Sequence, residues 1–182
     1  MKKLIAIALA IVVLLVMVPM EVLADADGDV WITQSNESAP LEGQTIDGNI
    51  IVQVDNSVRN KVIIKNCIIN GNIEIINGNV TDIGPGNTID GNVEIGSGAY
   101  DTRVYQNPSI NGNVEAKGAS YVVVMGNTMN GNIELTGCAN PANPGPGGAD
   151  IWGNSIDGNI EIKNSPGYIV GSNTVTGNVE IE

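Results

Sequence analysis

The chain has 182 residues, no His, no Phe, 3% aromatic residues and a formal net charge of −12. Such a charge argues against nucleic acid or anionic membrane as partners, because both are gripped through clustered Lys and Arg. Without His, Ser-His-Asp and Cys-His catalysis are excluded and transition metals lose their commonest ligand.

Residues 1–24 read as a helical secretory signal. Lys2 and Lys3 precede an apolar run from Leu4 to Val18, and a break beginning at Pro19 ends in the small residue Ala24. Export and cleavage after Ala24 would place the remainder outside the cell. That remainder fits one domain. Without Lys2, Lys3 and Glu21 its charge is −13, from six basic and nineteen acidic residues. No membrane contact is expected beyond the signal. Residues 25–44, with Trp31 and Pro40, fall outside the repeat that follows and are expected to cap it.

From residue 45 to 182 one nine-residue phrase recurs, cleanly at Asn87 to Ile95, Asn127 to Leu135, Asn154 to Ile162 and Asn173 to Ile181. Its glycines are Gly48, Gly71, Gly91, Gly112, Gly131, Gly158 and Gly177, spaced 19 to 27 residues apart. A period near 20 with two-residue hydrophobic alternation predicts an all-β, single-domain parallel solenoid of about seven turns, about 34 Å long at the spacing of paired strands. Each turn holds two or three short strands, with Gly and Asn at corners where positive φ is tolerated. Counting back seven from the next glycine gives Ile64, Tyr105, Val124, Ile151 and Val170, an apolar column expected to face inward.

Stacked turns line up like residues. Asn49, Asn72, Asn92, Asn113, Asn132, Asn159 and Asn178 form a predicted structural ladder in which side-chain amides bond to copies above and below. Glu74, Glu94, Glu115, Glu134, Glu161 and Glu180 form a second file on the outer face. Neighbours about 5 Å apart in water would repel by about 0.8 kcal/mol, which burial of aliphatics at about 1.5–3 kcal/mol each outweighs. The file suits either a solvated stripe that blocks lateral sheet pairing or a line of oxygen ligands for Ca2+. Thr88, Ser109, Thr128, Ser155 and Thr174 make a modest hydroxyl column.

Cys67 and Cys138 sit in different phases of the repeat, with their turns about 14 Å apart, beyond the reach of a disulfide. A bridge between neighbouring molecules and two unpaired buried thiols remain equally open. The Pro/Gly-rich stretch 139–148 reads as a loop bulging from a corner. Asn36-Glu37-Ser38 and Asn79-Val80-Thr81 match the glycosylation pattern. Val179-Glu180-Ile181-Glu182 lies inside the repeated phrase, with no polar cap after it.

Between Gln44 and Glu182 the Asn-Thr-Ile-Asp-Gly-Asn-Ile-Glu-Ile phrase resembles the repeats of right-handed parallel β-helix proteins, the pectate-lyase-like and periplasmic copper-maturation-type families. Polysaccharide-cleaving members carry a basic residue near calcium-binding aspartates, or paired aspartates on one face. Here Arg59 and Arg103 share no repeat phase with a cluster of Asp, and Asp47, Asp90 and Asp157 alternate with Asn70, Asn111, Asn130 and Thr176 at one corner position. No catalytic constellation emerges. The expected role is structural: an extracellular or cell-surface subunit whose partner is itself, assembling end to end into a filament, sheath or surface layer. The alternative is a carbohydrate-binding or polysaccharide-cleaving module directed at cell-surface polysaccharide, weakened by the scarcity of aromatic residues.

Overall fold

The computed structural model describes residues 23–24, 28–55, 60–139 and 148–182. The signal segment, apart from Leu23–Ala24, and most of the Pro/Gly loop lie outside the described residues. Within them there is no helix, and short strands wind into a parallel β-solenoid of about seven turns. The resemblance to parallel β-helix proteins thus holds at the level of architecture.

Each turn contributes a strand to three faces. Along the first face run Val30–Ile32, Ile50–Gln53, the starts of Ile73–Ile83 and Val93–Tyr105, then Val114–Lys117, Ile133–Thr136, Ile160–Lys163 and Val179–Ile181, each parallel to the next. The second face takes Leu41–Glu42, Lys61–Lys65, the ends of the two long strands, Tyr121–Met125, Ala149–Trp152 and Tyr168–Gly171. A seven-stranded sheet makes the third, from Thr45–Ile46 to Thr174–Val175. Its outward file reads Thr45, Ile68, Thr88, Ser109, then Thr128, Ser155, Thr174.

Alternation along each strand sends one side chain in and the next out, so Ile73, Ile75, Val93, Val114, Ile133, Leu135, Ile160 and Ile162 form a continuous buried core. The phrase glycines are explained by proximity, and of them Gly131 alone, at φ 154°, also has a positive φ. A Cβ on Gly112 would sit 2.4 Å from the carbonyl oxygen of Gly91, and one on Gly158 would sit 2.3 Å from that of Gly131. Backbone of one turn rests directly on backbone of the last. Left-handed conformations recur at the corner between the second and third faces, at Gly43, Asn66, Gly86, Gln106, Gly126, Gly153 and Ser172, and at the corner between the first and second, at Gly118, Gly137 and Asn164.

Two expectations change. The inward column on the second face is Ile64, Ile83, Val104, Val124, Ile151 and Val170, with Val104 buried and Tyr105 facing out beside Met125. Counting from Gly112 misses by one because Pro108 is an extra residue between Asn107, aligned with Asn127, and Ser109, aligned with Thr88. Residues 28–44 are also not a separate cap. Val30–Ile32 pair in register with Ile50–Val52, and Leu41–Glu42 with Ile64–Lys65, so this segment is itself the first turn.

Candidate functional site

The glutamates fall in one file as anticipated: Glu74, Glu94, Glu115, Glu134, Glu161 and Glu180 are mutual register partners on the first face. Asparagine neighbours hold two of them. Asn113 Nδ2 donates to Glu115 Oε1 at 3.0 Å, and Asn132 Nδ2 to Glu134 Oε1 at 3.2 Å. Lys163 forms an ion pair with Glu161, relieving the repulsion at one point. Carboxylates strung along a line at strand spacing do not converge. Among the described residues no three His, Cys, Asp or Glu side chains gather to hold a metal ion, whereas calcium takes about six to eight oxygen ligands.

The predicted asparagine ladder exists, but its bonds are not mainly amide to amide. Backbone N–H of each asparagine donates to Oδ1 of the one a turn earlier: Asn72 to Asn49 at 2.8 Å, Asn92 to Asn72 at 2.8 Å, and onward through Asn113, Asn132 and Asn159 to Asn178. Asp29 starts it by accepting from Asn49 at 2.7 Å. Each side chain thereby fixes the next turn's entry to the first face.

A second, more buried ladder was missed in the sequence. Asn87, Asn107, Asn127, Asn154 and Asn173 line the corner leading to the third face, with opposite polarity. Here Oδ1 accepts the backbone N–H of the preceding turn, from Cys67 N to Asn87 at 2.9 Å through Asn154 N to Asn173 at 2.9 Å. Each Nδ2 reaches further back, as from Asn127 to the carbonyl of Val104 at 2.9 Å. Their signature was present, since Asn heads every clean copy of the phrase, but the central Gly-Asn pair drew the ladder assignment instead.

On the second face the registers gather charged and aromatic residues that sequence phase kept apart. Arg103 neighbours Asp82 in register and donates to both carboxylate oxygens of Asp101, at 3.1 and 2.6 Å. Lys61 pairs with Asp82 at 3.0 Å. Tyr121 donates to Asp150 Oδ2 at 2.6 Å, and burial, reinforced by that carboxylate, pushes its phenol up to about 12. Tyr105, Met125 and Trp152 form one outward file, with Trp152 46% exposed. Tyr105, Tyr121, Trp152 and Tyr168 thus share the second face, while Trp31 lies on the first.

Cys67 and Cys138 are both free and buried in the core. Burial raises both thiols, Cys138 to about 11. An intermolecular disulfide does not fit this placement, because neither sulfur reaches the surface. Asn36 is buried as well, exchanging hydrogen bonds with the backbone of Ile63 at 2.6 and 2.9 Å, so a glycan cannot be attached there without breaking the corner.

The two ends of the coil differ. Val30, Leu41 and Ile46 of the first turn are buried, and Leu23–Ala24 pair antiparallel with Val30–Trp31 along its outer edge. In the last turn Tyr168, Val179 and Ile181 occupy the registers of Ala149, Ile160 and Ile162, yet are 45%, 50% and 39% exposed. No described segment covers them. No protein-family model matches the chain, and no curated protein or solved structure matches it.

Proposed function

We propose that the protein is an exported structural subunit that builds an extracellular filament, sheath or surface layer by stacking solenoids end to end. The observation that carries this reading is the exposed apolar rung of the last described turn, Tyr168, Val179 and Ile181, on strands that pair on one side only among the described residues. An edge of that kind pairs with another strand unless it is blunted. A last turn meeting another copy's first turn repeats the contact already made between successive turns inside one molecule. Such head-to-tail contact does not close on itself and so propagates a filament. The glutamate stripe suits this role by keeping the flank of a growing filament from pairing sideways.

The test is particle mass of the purified protein at rising concentration. Growth into long particles is expected, and Val179→Lys with Ile181→Lys should abolish it without loss of strand signal in circular dichroism. A lone monomer throughout would overturn the proposal.

One observation favours a second reading, a glycan-binding face. Tyr105 and Trp152 lie on one file two strand spacings apart, flanked by the Arg103–Asp101 and Tyr121–Asp150 pairs, which suits rings stacking on sugars beside fixed polar groups. Retardation in gels cast with neutral β-linked polysaccharides, lost in Trp152→Ala, would support it. Equal mobility of both proteins would dismiss it.

A further inference from the structure

We propose that Asn79 carries an N-linked glycan whose first sugar packs on the ring of Tyr100. This inference rests on the export half of the reading above and is independent of stacking.

Asn79-Val80-Thr81 is one of two Asn-X-Ser/Thr matches in the chain, and the fold treats them in opposite ways. Asn36 is buried, with both amide atoms held by the backbone of Ile63. Asn79 is partly exposed, and among the described residues its side chain makes no hydrogen bond. It sits where the chain turns from the first face to the second. Gly78 and Thr81 both face the core, since a Cβ on Gly78 would lie 3.0 Å from Thr81 Oγ1 and 3.9 Å from Val52 Cγ1. Asn79 and Val80 between them lie on the outside of the corner, with Val80 in register with Lys61 and Asp101. A branch at Asn79 therefore projects from the flank of the coil.

The register sets Tyr100 beside it. Ala99 pairs with Gly78 and Asp101 with Val80, so Tyr100 stands opposite Asn79, one strand spacing of about 4.8 Å away. Its ring is 40% exposed and has no part in the file of Tyr105, Met125 and Trp152. A sugar ring has an apolar C–H face, and an exposed ring next to the attachment point gives that face a surface to settle on. Thr81 sets the order of events. Its hydroxyl is buried without a hydrogen-bond partner, as is that of Thr102 beside it. Glycan transfer reads the hydroxyl two residues after the asparagine, so transfer precedes the folding of this turn. Asn79 Nδ2 bonds to C1 of the first sugar of a lipid-phosphate-linked oligosaccharide. The bond from C1 to the phosphate oxygen breaks, the phosphate keeps the bonding pair, and the amide gives up one proton. A glycan attached to Asn36 in the same way would keep its corner from closing, so folded chains carry sugar at Asn79 alone.

The experiment takes the full chain as made by its own cells and reads the tryptic peptide Asn66–Arg103, which holds this sequence match alone, by mass spectrometry. Peptide carrying sugar is expected, with none in Asn79→Gln or Thr81→Val. The second variant should keep its strand signal in circular dichroism, because the Thr81 hydroxyl has no partner to lose. Secreted, folded protein with a bare peptide would overturn the glycan and leave export intact. Protein retained inside the cell would overturn both. Sugar on Asn36 in folded protein would overturn the assignment of the two matches. For the ring contact, Asn79→Gln should lower the urea midpoint of the otherwise native chain and leave that of Tyr100→Ala unchanged. An equal fall in both would overturn the packing on Tyr100.

Discussion

Asn127 shows how much one side chain does in this coil. Its Oδ1 accepts the Asn107 backbone N–H at 3.0 Å, its Nδ2 serves the Val104 carbonyl at 2.9 Å, and its own N–H is taken by Asn154 at 2.9 Å. Asn127→Ala strands a buried donor and a buried acceptor, each costing about 1–3 kcal/mol. A loss of about 3 kcal/mol in urea unfolding is expected, against a smaller loss for Asn159→Ala, whose side-chain bonds to Asn132 and from the Asn178 N–H lie at the exposed end of the other ladder. Equal losses would argue that burial does not separate the two ladders. Tyr121 gives a second check. Its neutral phenol is favoured by burial and by Asp150, so its stabilising effect is present below the ordinary tyrosine range and is lost as pH rises through about 12. Absorbance titration should show the Tyr121 phenol titrating late and moving earlier, but not fully to the ordinary value, in Asp150→Asn. Both thiols should resist a water-soluble thiol reagent in the native protein and react at once in denaturant.

At the scale of the strand and corner, glycines have two distinct uses that substitution can separate. Gly112→Ala would drive a methyl into the Gly91 carbonyl one turn away. The expected loss is about 3 kcal/mol, at the upper end for overpacking. Gly153 has open space around it and a φ of 60°. Gly153→Ala should cost only the left-handed strain, about 1–2 kcal/mol. Denaturation midpoints of the two variants decide between proximity and conformation as the reason for each. Much of this layer was legible beforehand. Period, alternation and the glutamate file follow from Gly-Asn-Ile-Glu-Ile because strand pairing in register forces like residues together. What escaped was anything that depends on counting across a corner. Pro108 displaced the inward column from Tyr105 to Val104. Residues 28–44 lack the phrase, yet Val30 and Ile32 keep the apolar alternation that a turn requires. The clustering of Arg103 with Asp82, Tyr105 and Tyr121 was hidden too, since phase counted from the glycine fails on a face reached after loops of unequal length.

For the whole molecule, the proposal is that the last described turn of one copy stacks on the first turn of another. Val30 and Ile32 of the first turn are buried, whereas Val179 and Ile181 in the matching places of the last described turn are 50% and 39% exposed. The most direct measurement is cryo-electron microscopy of the purified protein at high concentration. The account predicts filaments whose strand repeat of about 4.8 Å continues unbroken through each junction between subunits. Separate rods about 34 Å long, the length of about seven turns at that spacing, with no contact between their ends would contradict it.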